Sequence, residues 1–324
     1  MSEVTRVATP REEERDPSAG APDGAPMQEL PGWLARDAAT LRAHPAFQDA
    51  LRTYAGLMTR KLENAPDRVR VASEEALLLI GIALSAMHLT RDPANPRSGA
   101  TLTRAQVFAA RTGLASPSRV AALIGLKKRM GHWRQVDVSE DRRIKRLEPT
   151  AKGEHLAGLY ARTTLTPVQL LSSGADYLTL LQTDPDFQGR FAAGAVNQYL
   201  GGVRALRAAP DVSYFMRQVA GRQIMFRLWL AFVEQDNGSR IITCPYERLA
   251  ASFTVSRGHV RRMVEAGQAR GLFVIHAPGG QAIEILPKFV ALQEMAGSLV
   301  FAQIRQAADT AAAMTGRGRI AWDM

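Results

Sequence analysis

The sequence predicts a mainly α fold with two small β-wings, one unit built twice in tandem and related by a pseudo-twofold. Three observations predict it. Apolar residues recur at helical spacing through most of the chain beyond residue 30. The order helix, turn, helix, hairpin occurs over residues 104–147 and again over 245–285. Landmarks of the first copy also return 140 residues later: Ser116, Val120 and Gly131 fall opposite Ser256, Val260 and Gly271. The same shift brings Pro45-Ala46-Phe47-Gln48 onto Pro185-Asp186-Phe187-Gln188, far upstream of any shared motif, so the whole unit reads as duplicated. A period this long makes each copy a domain rather than a solenoid repeat. The expected division is a tail over 1–30, a first domain over 31–165, a second over 166–308 and a C-terminal tail over 309–324.

Residues 1–30 are rich in Pro, Gly, Ala and charge without apolar periodicity, and predict a disordered tail. From Trp33 the pattern is helical, with Phe47, Leu51, Tyr54 and Leu57 on one face. Ser73, followed by Glu74 and Glu75, is placed to cap a helix over Ala76–Leu89 that is apolar nearly all round and belongs at the centre of a core. That run is too short to cross a bilayer, and Glu3, Arg6 and Glu12 occupy the place of a signal peptide's apolar run, so a soluble cytoplasmic protein is expected. After the breaker-rich loop Asp92–Pro96, Thr103 opens a helix with Gln106 at the capping-box position.

Arg104–Thr112 predicts a short helix and Gly113–Ala115 a tight turn. Ser116-Pro117 then starts a second helix that runs to about Met130 and stops at Gly131. Trp133–Val136 and Arg143–Leu147 alternate as two strands around the polar tip Asp137–Arg142. In the second copy the helices are Pro245–Ser252 and, capped by Ser256, a run to Ala269 before Gly271. Strands Leu272–Ile275 and Ala282–Ile285 flank Pro278-Gly279-Gly280, whose glycines permit positive φ. This is the element order of a winged helix-turn-helix, twice over.

The net charge is +10, but it is unevenly placed: −4 over residues 1–30, +10 over 31–165 and +4 over 166–324. Arginine supplies 35 of the 41 basic residues, a bias that a codon-biased genome also produces, so position has to decide its meaning. Between Arg104 and Arg146 there are 11 basic and 3 acidic residues, and between Arg248 and Arg270 there are 5 and 1. The charge gathers on the two motifs. In the second, Val260, Val264 and Gly267 face the core, leaving Arg257, Gly258, His259, Arg261 and Arg262 on the helix's N-terminal outer face, where arginine can bond guanine bidentately. The first helix offers Ser118 and Arg119 among Pro117, Ala121 and Ala122; its charge lies at Lys127, Lys128 and Arg129 and on the wing at Arg142, Arg143, Lys145 and Arg146, suited to phosphates and a minor groove. The expected DNA-contacting set is therefore Ser116, Ser118, Arg119, Lys127, Lys128, Arg142, Arg143, Lys145, Ser256, Arg257, His259, Arg261, Arg262, Gly279 and Gly280.

A single cysteine, Cys244, excludes an internal disulfide or a thiolate-rich zinc site; it reads as a small core hydrophobe or as an oxidant sensor. His44, His88, His132, His155 and His276 lack metal spacing, and no nucleophile-elbow, metalloprotease or phosphate-loop signature occurs. Neither catalysis nor a cofactor is expected. Trp133, Phe226, Trp229 and Phe232 are read as core, with room for a small apolar ligand where the paired domains meet.

The stretch Asp141–Gly153 resembles the wing of the MarR family of bacterial transcription regulators, which typically reads Asp-x-Arg and returns into Leu-Thr-x-x-Gly; here Glu148-Pro149 stands inside the Leu-Thr step. The second copy has Leu249-Ala250, Val255-Ser256 and Val260 at regulator spacing but lacks the Asp-x-Arg wing. The resemblance implies nucleoid-associated, sequence-specific binding of double-stranded DNA by a twofold pair of winged helices, with transcription regulation as the function and small apolar molecules as effectors. Ordinary members pair two chains. This chain could supply both halves, as a monomeric pseudo-dimer or within a homodimer. Two alternatives stand beside it: a plasmid-type replication initiator with tandem winged helices, and a winged-helix scaffold that binds protein.

Overall fold

The structure, a computed structural model, describes residues 30–60, 75–95, 97–138, 141–235 and 238–321, without the side chains of Asp141, Arg142, Arg207 and Ala208. Residues 1–29 of the expected tail over 1–30, the Ser73 cap and Pro96 lie outside the described residues. The described chain is mainly helical with small antiparallel sheets. Its first half contains α1 (Gly32–Arg42), α2 (Phe47–Arg60), α3 (Glu75–Leu89), α4 (Leu102–Thr112), α5 (Pro117–Arg129), β1 (Trp133–Val138), β2 (Asp141–Pro149) and α6 (Ala151–Gln169). The second half follows with α7 (Tyr177–Thr183), α8 (Phe187–Leu200), a 3₁₀ turn (Ala205–Ala208), α9 (Pro210–Met216), α10 (Gly221–Val233), β3 (Ile241–Ile242), α11 (Tyr246–Phe253), α12 (Arg257–Ala269), β4 (Phe273–Ala277), a 3₁₀ turn (Pro278–Gly280), β5 (Ala282–Ile285) and α13 (Pro287–Ala313).

Several local features recur at the 140-residue shift. Ser116 and Ser256 cap α5 and α12, each side chain accepting from the backbone N–H three residues on. Gly131 and Gly271 follow those helices at φ 70° and 67°, a conformation that a Cβ would oppose. Each hairpin then starts on a buried aromatic, Trp133 or Phe273. The second sheet has three strands in the order β3-β5-β4, whereas the first has only β1 and β2, with a single bridge from Thr101 to Arg146 where Ile241 pairs with Glu284 in the second.

Two local readings are corrected. The cap of α4 is Thr101, not Thr103, and Gln106 reaches across to the Pro117 carbonyl at 3.1 Å instead of closing a capping box. The first hairpin is longer than expected: Glu148-Pro149 remains in β2, with Pro149 opposite Trp133, because an edge strand has no need of the N–H that proline lacks.

The halves are interleaved. Helix α2 packs on α10 of the other half and α8 on α3; α1 packs on α13 and α7 on α6; α6 and α13 meet each other. Exchanging the halves turns each of these pairings into another, or into itself for α6 and α13. Phe47 and Tyr54 of α2 meet Phe301 edge-on, and Tyr54 also meets Phe226. Each such buried ring contributes roughly 1.5–3 kcal/mol of burial free energy. One apolar cluster runs from Leu34 to Ala311; a second joins α3, α4, α5 and the first hairpin to Ala193 and Val196 of α8.

The expected boundary between residues 165 and 166 falls inside α6, and the described part of the expected tail over 309–324 begins as helix and is anchored at Ile320. Helix α13 continues to Ala313, Ile320 is fully buried in the second cluster, and Arg190 donates to the carbonyls of Ala311 (2.8 Å) and Gly316 (2.9 Å) while pairing with Asp184. That guanidinium holds the Asp184 carboxyl below its ordinary range.

Candidate nucleic-acid interface

Helices α5 and α12 each follow a short helix across a tight turn, and each turns a stripe spaced i, i+3, i+4, i+7 inward. The stripes are Val120, Leu123, Ile124 and Lys127 in α5, and Val260, Met263, Val264 and Gly267 in α12. Outward at the N-terminal end of α5 stand Ser118 and Arg119, both exposed, with the Ser116 and Ser118 hydroxyls 3.1 Å apart. At the same place on α12 stand Arg257, Arg261 and Arg262, all exposed. Helix N-termini carry partial positive charge, which adds to these arginines in favouring an anion.

Local partners restrain this set to different degrees. Arg261 makes a loose pair with Glu265 at 3.7 Å, both side chains being more than half exposed. A Cβ on Gly279 would lie 3.5 Å from the Arg257 guanidinium, so the second hairpin's tip and the start of α12 form one surface. On the first hairpin Arg143 is exposed, Lys145 pairs with Asp137 at 2.8 Å, and Lys128 donates to Gln135 at 3.1 Å. Arg142 lies in β2 with its side chain outside the description. Arg134 and Arg146 both pair with Glu148, which takes part of the positive charge off the hairpin's base.

Three expected contacts are placed elsewhere. Lys127 is 3% exposed, and its ammonium stands 2.7 Å from where a Cβ on Gly81 of α3 would be, so it fills the core and faces no ligand. Gly280 is buried at φ 83°, where a Cβ would fall 2.1 Å from the Cys244 carbonyl; it is required for chain approach and not for contact outside. His259 is half-buried, with Nε2 2.9 Å from the Val219 carbonyl, so its ring is committed to the turn before α10. Ser116 and Ser256 serve first as helix caps.

A pair of residues missed from the sequence matters to the site. Lys152 and Lys288, each the second residue of the helix after a hairpin, donate to the carbonyls of Met130 (3.0 Å) and Arg270 (2.8 Å), the C-caps of α5 and α12. A cation on those last carbonyls stabilises the helix end and ties each candidate DNA-facing helix to the central bundle. Their shift is 136 residues, because the second hairpin is shorter, so the 140-residue register does not reveal them.

Trp133, Phe226 and Trp229 are buried and Phe232 is half-buried. Cys244 is buried, which pushes its thiol up to about 11 and keeps it protonated and inert at neutral pH. A cavity of about 50 Å³ lies between α2, α9, α10 and α13, lined by Tyr54, Phe215, Met225, Phe226 and Val300 with Arg222 and Gln293 at its polar side. At that volume it admits one or a few small molecules of water size, not a drug-sized effector. Among the described residues no helix is long and apolar enough to cross a membrane, and no group of three His, Cys, Asp or Glu could hold a metal ion. Comparisons with protein-family models, curated proteins and solved structures found no match to this chain.

Proposed function

We propose that this chain is a sequence-specific double-stranded DNA-binding transcription regulator, a tandem MarR-like protein whose two winged helix-turn-helix motifs form a pseudo-dimer within one chain. One observation carries the reading: the helix, turn, helix, hairpin unit is built twice, and in both copies the second helix turns its capped N-terminal end outward, with Ser118 and Arg119 on one and Arg257, Arg261 and Arg262 on the other. In this reading α5 and α12 are recognition helices that enter major grooves, and the first hairpin lays Arg143 along a backbone or minor groove.

Neutralising about 6–10 phosphates gives a slope of log K against log salt of roughly −5 to −9. Fluorescence anisotropy of labelled duplexes over a salt series measures it. A slope near zero, or retention of protein partners but not DNA, would overturn the reading in favour of a protein-binding scaffold. Bound sites that are iterated direct repeats at an origin, rather than promoter-proximal imperfect palindromes, would mark a replication initiator.

A further inference from the structure

Between α8 and α10 the chain takes a detour through the Ala205–Ala208 turn and α9, and this detour touches both motifs. At its start the Arg204 guanidinium donates to the Thr112 carbonyl at 3.1 Å, the last residue of α4 in the first motif, and to the Tyr199 and Val203 carbonyls at 2.6 and 3.1 Å, lying 4.6 Å above the Tyr199 ring. In its middle Asp211 pairs with Lys288 at 3.1 Å and Arg270 at 3.7 Å, and the Arg270 guanidinium stacks 3.6 Å from the centre of the Tyr214 ring. At its end the Val219 carbonyl meets His259 Nε2 at 2.9 Å. Arg270 is the C-cap of α12 and His259 lies in its first turn, so a single segment grips the second recognition helix at both ends and the first motif at its turn. The exit is over-determined too: Ala220 sits at φ 56°, and a Cβ on Gly221 would fall 1.9 Å from the Phe215 carbonyl.

We infer that Arg204–Gly221 is a spacing strap that fixes the two recognition helices relative to one another and so sets the half-site spacing the protein accepts. The assignment of spacing rests on the DNA-binding reading above; the mechanical part does not. The strap's grips are polar and lie at the edges of the two apolar clusters. Releasing them therefore loosens the relation between the motifs without dismantling either core. Arg204 and Asp211 are positioning residues in this scheme, acting on DNA only through the helices they hold.

Two measurements test it, on the full chain carrying Cys244→Ala, with spin labels on Ala122→Cys of α5 and Ala269→Cys of α12, both exposed sites. Pulsed dipolar spectroscopy should give a narrow distance distribution in this parent, and one about twofold broader when Arg204→Gln and Asp211→Asn are added. Unchanged width in the folded variant overturns the strap; if the double variant does not fold, Asp211→Asn alone supplies the comparison. Duplexes selected from a random pool by an unlabelled parent that keeps Ala122, Ala269 and Cys244 are then remade with one base pair inserted between half-sites, which rotates one half-site by about a tenth of a turn. The parent should lose about tenfold in affinity and the variant less than about threefold. Equal losses overturn the spacing role. If the parent selects no duplex at all, the DNA reading fails, and the distance distributions alone decide the strap.

Discussion

Arg261 and Arg143 are both exposed arginines, one on each helix-turn-helix-hairpin motif, but their surroundings differ. Arg261 stands on the N-terminal half of α12 in a 3.7 Å pair with Glu265, with side chains 64% and 52% exposed. A solvated pair of that kind holds little energy, so Arg261 can leave it cheaply for another partner, which on the proposed function is a base edge. Arg143 lies on β2, and on the proposed function a cation there meets phosphate or a degenerate minor groove. Arg261→Ala should therefore cost on the order of 1–3 kcal/mol on a selected duplex and relax preference at one or two base pairs. Arg143→Ala should weaken selected and scrambled duplexes alike. Competition binding at two salt concentrations separates the two, and a strongly relaxed Arg143 variant beside an Arg261 variant of unchanged discrimination would reverse the roles.

At the scale of elements, what the sequence made legible was whatever is written locally. Serine before a helix, glycine after it and an aromatic opening the hairpin each act within a few residues, so both motifs could be read at nearly their true limits. The exchange of helices between halves could not, since it depends on which apolar face meets which across more than a hundred residues. Lys127 falls between these cases. It completes the stripe Val120, Leu123, Ile124 at the position where α12 has Gly267, already assigned inward, so the register itself gave its burial and the charge concealed it. Its space is provided by Gly81 on α3, as the space at Gly267 is taken by the Phe273 ring. Lys127→Ala should lower the unfolding free energy by on the order of 2 kcal/mol in urea and leave the salt slope of DNA binding unchanged, whereas loss of a phosphate contact would reduce that slope by about 1. The junction of α3 with the first hairpin has a titrating counterpart. His88 meets Trp133 edge-on with ring centres 6.4 Å apart, and burial holds its pKa below the ordinary imidazole value of 6.5, with the Glu148 charge opposing that shift. The folded state keeps His88 neutral while the unfolded chain takes up a proton below pH 6.5, so its contribution is present above that pH and is lost as the pH falls toward the folded value. Urea midpoints at pH values on either side of 6.5 should show the loss, and His88→Gln should flatten it; an unchanged pH profile in the variant would remove His88 as the cause.

For the whole molecule, the consequence of housing both motifs in one chain is asymmetry. In a homodimer the twofold axis makes the two DNA-facing surfaces identical, and the preferred site is then a perfect palindrome. Here the corresponding faces of the two motifs differ within one sequence: Ser118 and Arg119 stand where the other motif presents Gly258 and His259, the latter tied to Val219, and only α12 carries arginine at 261 and 262, where α5 has Ala121 and Ala122. The interleaving supplies from within the chain the helix contacts between halves, α2 on α10, α8 on α3 and α6 on α13. One chain should therefore occupy one site, and the site should be an imperfect palindrome whose halves differ most where Arg261 and Arg262 reach. Sedimentation or native mass measurement of the complex should give a single 35.3 kDa chain on each duplex, with footprints over two unlike half-sites. Two chains on a perfectly symmetric operator, each using the same one of its two motifs, would mean that the internal pairing of halves serves stability alone and that the second motif has left DNA recognition.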